Sequence, residues 1–249
     1  MDTTKKFDGR ARDYTASRPT YSLELIDYLY QHYFTNDSII ADIASGTGKF
    51  TKQLLERGSH VYGVEPNDEM RHIAEEEFYQ YEKFHSIAGR AENTTLQENF
   101  VDYVTVAQAF HWFDVQDFKK ECLRIMKKGG KVFLIWNIRE MQNPFNKEWH
   151  EICAKYCPEF QGFSNGIKRD DQRIRDFFNN EYESIAFENP LYFDREKFIS
   201  RCLSSSYSLK EGDMEYENYI KELNALFQQY SNNGVVIVEN QTVVYIGEV

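Results

Sequence analysis

From Ser38 to Trp136, short apolar runs alternate with amphipathic segments of helical period, the pattern of parallel strands joined by crossover helices. Ser38-Ile39-Ile40-Ala41-Asp42-Ile43 reads as a first strand. A Gly-containing turn follows, then a short helix with Phe50, Leu54 and Leu55 facing inward and Gly58 past its end. Val61 to Glu65 is the second strand. Its helix begins near Asn67 and aligns Met70, Ile73, Ala74 and Phe78 on one face. A weak third strand lies around Phe84 to Ala88. The fourth, Val101 to Ala107, leads into a helix carrying Phe118, Cys122, Ile125 and Met126. Arg124, Lys127 and Lys128 fall in its last turn, and Gly129-Gly130 ends it. Lys131 to Trp136 is the fifth strand. Four repeats of one unit predict a doubly wound α/β sheet.

After Asn137 the rhythm changes. A helix spans Phe145, Trp149, Ile152, Cys153 and Tyr156, and a polar stretch runs from Gln161 to Gly166. A strand is expected over Tyr182 to Phe193, a long helix over Tyr216 to Tyr230, and a terminal strand or strand pair over Val235 to Val249. Another amphipathic helix, marked by Leu25, Ile26, Leu29, Tyr30 and Tyr33, precedes the first strand. No repeat or Pro-rich linker interrupts the chain. One domain over residues 1–249 is therefore expected, with an N-terminal arm (1–21), a core (38–137) and helical cap segments (138–180 and 200–232).

Composition narrows the class. With 41% hydrophobic residues, 249 positions suffice for a substantial core. No run of about 18 apolar residues could cross a membrane, and Met1 to Asp8 lacks the apolar stretch of a signal peptide, so a soluble, cytoplasmic protein is expected. A net charge of −11 repels phosphate backbones and anionic lipid, which disfavours nucleic acid and membrane as partners. Cys122, Cys153, Cys157 and Cys202 show no paired C-x-x-C spacing; buried reduced thiols are expected, and no metal.

The chemistry concentrates in Asp42-Ile43-Ala44-Ser45-Gly46-Thr47-Gly48-Lys49-Phe50, where a strand hands over to a helix. Small residues there let a ligand approach the backbone. Many structural turns look alike, but Glu65 closes the second strand, where a carboxylate can accept from both hydroxyls of a ribose. The turn has neither the G-x-x-x-x-G-K-[ST] cradle nor the full G-x-G-x-x-G. It therefore suits a nucleoside without a pyrophosphate better than NAD or ATP.

At these residues the chain resembles the class I S-adenosylmethionine-dependent methyltransferases, in particular the small-molecule, trans-aconitate methyltransferase-like branch. The resemblance covers residues 7 to 137 well and the rest in outline. The usual turn, D-x-G-x-G-x-G, is kept except that Ala44 replaces the first glycine. The resemblance implies a seven-stranded, mostly parallel, doubly wound α/β sheet with an antiparallel C-terminal strand and helical cap insertions, and S-adenosyl-L-methionine as cofactor. By the same resemblance Asp42 orders the loop, Ala44, Ser45, Gly46 and Gly48 belong to the methionyl turn, and Glu65 holds the ribose. Pro66 and Met70 then flank the adenine, Ala91 and Glu92 lie at its edge, and Gln108 is a further cofactor-binding residue; Glu92 read alone is equally a solvated loop carboxylate.

Gln108-Ala109-Phe110-His111-Trp112-Phe113-Asp114 leaves the carboxyl end of the fourth strand, where open α/β sheets place ligands, and also matches the branch. His111 could take a proton from an acceptor or only orient the loop. In the arm, Tyr14 could face the sulfonium or pack on the first helix, and the Arg18-Pro19 pair resembles the branch's cofactor cover. Arg18, Trp112 and Tyr207 are candidate substrate contacts. Tyr156, Phe160, Phe163, Tyr207 and Tyr216 suggest an aromatic cavity for a small, ring-containing or apolar acceptor.

Asn189-Pro190-Leu191-Tyr192 resembles the N-P-P-Y box of enzymes that methylate nucleic-acid bases, but that box belongs after the fourth strand. Its misplacement and the acidic charge argue against such a substrate. Methyl transfer to a small molecule by a monomer or homodimer is thus the leading expectation. The alternatives are a non-catalytic S-adenosylmethionine sensor and an aminopropyltransferase on the same fold.

Overall fold

The computed structural model describes residues 19–163, 171–205 and 207–249. Helix α1 (Leu23–His32) precedes β1 (Ile39–Ile43), α2 (Lys49–Glu56), β2 (His60–Val64), α3 (Asp68–Phe78) and β3 (Phe84–Ile87). Then come β4 (Val101–Ala107), a single 3-10 turn (Phe110–Trp112), α4 (Val115–Ile125) and β5 (Met126–Arg139). The remainder comprises α5 (Pro144–Tyr156), α6 (Gln172–Phe177), β6 (Tyr182–Glu188), β7 (Leu191–Phe193), α7 (Arg195–Leu203), α8 (Tyr216–Tyr230), β8 (Val236–Val238) and β9 (Asn240–Gly247).

Seven strands form one sheet in the order β3-β2-β1-β4-β5-β9-β6, and β7 pairs with β8 in a separate two-stranded sheet. Strands β1 to β5 run parallel to one another, whereas β9 is antiparallel to both β5 and β6. Alternation along the strands sends side chains to two buried layers. Ile40, Val61, Phe133 and Val244 pack under α1, α2 and α3; Val104, Val106, Leu134 and Trp136 pack under α4 and α6. The layer under α1 to α3 joins Leu25, Leu54 and Phe78 to the sheet, so the helix faces expected from their period are the buried ones. A third cluster lies in the cap, where α5, α7 and α8 enclose Phe145, Trp149, Phe198, Tyr219 and Leu223 beside β7 and β8.

Three boundaries differ from the periodicity. Helix α4 ends at Ile125, not at Gly129-Gly130, because Met126 already bridges Val101 and the glycines lie in an irregular stretch before Tyr103 meets Lys131. The run from Tyr182 to Phe193 breaks at Asn189-Pro190, since proline has no N–H to continue the ladder, and its halves join different sheets. Val235 to Val249 divides likewise between β8 and β9. Helices α6 and α7 follow Asp171 and Asp194, whose carboxylates accept from Arg173 N and Lys197 N; each Asp followed by a short amphipathic run was the available signal.

Among the described residues no helix is long and apolar enough to cross a membrane, and no group of three or more His, Cys, Asp or Glu could hold a metal ion. All four cysteines are free and buried.

Candidate functional site

Between β1 and β4 the strand order reverses, so the turns leaving their carboxyl ends diverge to opposite sides of the sheet and open a crevice. A cavity of about 400 Å³ fills it. On one side its wall comes from the ends of β1, β2 and β3; on the other it comes from the ends of β4 and β5 and from the cap.

The β1–α2 turn is shaped by left-handed backbone at Ala44 (φ +53°), Gly46 (φ +60°) and Gly48 (φ +84°). A Cβ built on Gly46 would meet only Met70 Sδ, at 3.8 Å, which leaves room toward the cavity. At Gly48 it would come within 2.2 Å of the Phe78 ring, because this glycine is where α2 crosses the end of α3. Asp42 anchors the turn from beneath and is only 1% exposed. Its carboxylate accepts from Thr51 Oγ1 at 2.6 Å and from Thr105 Oγ1 at 2.9 Å. Burial outweighs these donors and pushes the Asp42 carboxyl up to about 6, with the neighbouring Glu65 charge adding to the rise.

Glu65 follows β2 and is buried at the cavity wall. Its Oε2 accepts from Gly46 N at 2.9 Å and its Oε1 from Asn67 N at 2.8 Å, so one carboxylate fixes both the glycine turn and the start of α3. Burial raises its pKa, opposed by those two amides and by Arg71. Asn67 then caps α3 by accepting from Met70 N, which sets Met70 against the turn. After β3, Glu92 accepts from Asp114 N at 2.9 Å, tying the β3 loop to the start of α4. Gln108 adopts φ +63° at the end of β4 and donates from Nε2 to Asn137 O. His111 and Trp112 stand ring to ring, with centroids 4.6 Å apart.

Asp42, Ala44, Ser45, Gly46, Glu65, Pro66, Met70, Ala91, Glu92, Gln108, His111, Trp112 and Tyr207 all line this one cavity. Gly48 does not line it; its place is the α2–α3 packing contact. Tyr14 and Arg18 lie outside the described residues. Of the other aromatics expected around an acceptor, Tyr156 donates to Glu222, while Phe160 and Phe163 pack on each other with centroids 5.4 Å apart. Neither these three nor Tyr216 is among the residues lining the cavity.

Basic side chains take their place. Arg139, ending β5, lines the cavity and lays its guanidinium over Trp149 and Phe163, 4.4 and 4.0 Å from the ring centroids. Arg201 of α7, 5% exposed, lines the same cavity and donates to Ser205 Oγ. Lys49, Arg90, Asn137 and Asn240 also line the walls. Spacing could not reveal Arg139 and Arg201, which sit in elements whose periodicity speaks only of packing.

Residues 41–134 match the model of a methyltransferase domain. An uncharacterized methyltransferase-like protein of Schizosaccharomyces pombe is 28% identical over 215 residues, covering 85% of this chain and 82% of its own. An uncharacterized methyltransferase of Mycobacterium tuberculosis is 34% identical over 154 residues, spanning 62% of this chain and 61% of that protein. A putative methyltransferase from an antibiotic biosynthesis pathway of Anabaena variabilis shares the fold, with a TM-score of 0.65, 19% identity, and coverage of 95% of this chain and 99% of its own. The fold is thus that of the Rossmann-like methyltransferases. The matched domain and the relatives make the chain an S-adenosylmethionine-dependent methyltransferase, with S-adenosyl-L-methionine as its cofactor.

Proposed function

We propose that this chain methylates a small acceptor carrying an anionic group, with cofactor and acceptor side by side in the crevice. The observation behind this reading is the polarity of one cavity: a buried carboxylate, Glu65, on the β2 side, and two guanidiniums, Arg139 and Arg201, on the β5 and cap side. The first half suits an adenosyl group. Glu65 keeps lone pairs for ribose hydroxyls, Pro66 and Met70 flank the adenine, and Ala91 and Glu92 lie at its edge. Ala44, Ser45 and Gly46 leave space for the methionyl chain.

When bound, S-adenosylmethionine supplies a methyl group made electrophilic by its sulfonium. The protein's part is alignment and exclusion of water. Arg139, stiffened by two aromatic rings, and the buried Arg201 hold the acceptor's anion by charge-assisted hydrogen bonds. Tyr207 and Trp112 wall the acceptor. His111 takes the proton of a hydroxyl or amine acceptor; a carboxylate has none to lose, and there the imidazole orients the loop. Of the five aromatics expected around an acceptor only Tyr207 lines the cavity, joined there by Trp112 and Phe113, and the two guanidiniums add an anion-binding side to that lining. Two cations on the acceptor side are also the wrong charge for a polyamine, which counts against aminopropyl transfer. The small-molecule, trans-aconitate methyltransferase-like branch remains the resemblance that fits this arrangement.

A crossed pair of variants tests the division. Glu65→Ala is expected to weaken S-adenosylmethionine about 10- to 100-fold by titration calorimetry, leaving the acceptor KM near wild type. Arg201→Met is expected to raise the KM of an anionic acceptor about 10- to 100-fold with the cofactor Kd within about twofold. Release of S-adenosylhomocysteine across a panel of carboxylates, phosphates and neutral compounds supplies the acceptor. Equal turnover of neutral and anionic compounds would discard the anion, and an unchanged cofactor Kd would discard Glu65.

A further inference from the structure

Lys49 is the cavity residue for which the fold gives least reason. It is the first residue of α2, where the helix's unpaired N–H groups place partial positive charge, so a cation there is repelled. It lines the cavity and is half-buried. Loss of water and the nearby Lys52 both lower its pKa; Glu77 acts in the opposite direction, but that carboxylate bonds Lys52 at 2.7 Å. Among the described residues Lys49 makes no ion pair. A methionine or glutamine would avoid these penalties and still begin the helix.

An anion in the cavity would remove them. Arg139 ends β5, two strands along the sheet from the β1 turn that carries Lys49, and Arg201 belongs to the cap, so the acceptor anion assigned to that pair is a different group from the one at Lys49. Beside Lys49 are Gly46, Thr47 and Phe50, the turn on which the cofactor reading places the methionyl chain. We propose that Lys49 binds the α-carboxylate of S-adenosylmethionine and thereby selects the intact amino-acid nucleoside over forms lacking that carboxylate. The inference rests on the cofactor lying across the β1 and β2 turns as proposed above. It gives the chain a way to reject decarboxylated S-adenosylmethionine, which presents the same adenosine, ribose and sulfonium.

The test compares nucleosides that differ at this one group. By titration calorimetry the wild-type chain is expected to bind S-adenosylmethionine at least 10-fold more tightly than its decarboxylated form. Lys49→Met is expected to weaken S-adenosylhomocysteine roughly 10- to 50-fold while changing methylthioadenosine, which lacks the amino-acid chain, by less than about twofold; Lys49→Arg should retain most of the affinity. Equal weakening of both nucleosides by Lys49→Met marks a structural lysine and overturns the proposal. So does unchanged S-adenosylhomocysteine affinity, or a wild type indifferent to decarboxylation. A wild type that binds none of these nucleosides overturns the cofactor site as well, and is thereby distinguished from failure of Lys49 alone.

Discussion

Gly48→Ala is expected to lower the free energy of unfolding by roughly 2 to 5 kcal/mol, read from urea denaturation midpoints at constant slope. Two costs add. The residue sits at φ +84°, where an L side chain is strained, and its new methyl would stand 2.2 Å from the Phe78 ring, a buried group fixed by its contact with Phe84. Gly46→Ala carries the first cost without the second, because the nearest atom to its Cβ is 3.8 Å away, so about 1 to 2 kcal/mol is expected there. The steric part can be isolated. In a double-mutant cycle with Phe78→Leu, coupling above about 1 kcal/mol in the compensating direction is expected. Equal losses for the two glycine variants would remove the close approach of α2 to α3 as the reason for Gly48.

Asp42 should make stability depend on pH in the direction opposite to an ion-paired carboxylate. Its native pKa, about 6, lies above the ordinary 3.8, so between these values the folded chain holds a proton that the unfolded chain has lost. The contribution is therefore fully present below about pH 4 and declines as pH rises through about 6. Once ionised, Asp42 costs the fold on the order of 3 kcal/mol. Asp42→Asn removes the titration. Its stability relative to wild type should rise by about that amount between about pH 4 and pH 7.5, whatever constant offset arises from turning the Thr51 or Thr105 hydroxyl to accept. A pH-independent difference between the two proteins would show that Asp42 titrates normally.

The half of the site nearest β1 and β2 was legible because its residues are local. Strand, turn, helix and strand follow within 24 residues from Asp42 to Glu65, and the alternation of apolar positions fixed each element's inner face. Glu65 reaches back to Gly46 because parallel pairing of β1 with β2 brings their ends together. The acceptor half was hidden. Arg139 and Arg201 meet only through the docking of the cap, and aromatic side chains that look available in sequence spend themselves on one another. Asn189 is instructive in another way. Its amide donates to Thr20 O, Asn137 Oδ1 and Thr242 Oγ1, joining the start of α1 to β5 and β9. A motif suggestive of base chemistry is thus a structural clasp, and the proline after it is the strand break that a continuous apolar run concealed.

Strand β9 comes after β6 in the chain yet lies between β5 and β6. During synthesis, therefore, the sheet stays split until residues 240–247 have left the ribosome. Until then β5 presents an open edge that includes its apolar run from Val132 to Trp136, and β6 has no neighbour in the main sheet. Such unpaired edges are templates for association with other chains, so the interval before β9 slots in is when the nascent protein most needs a chaperone.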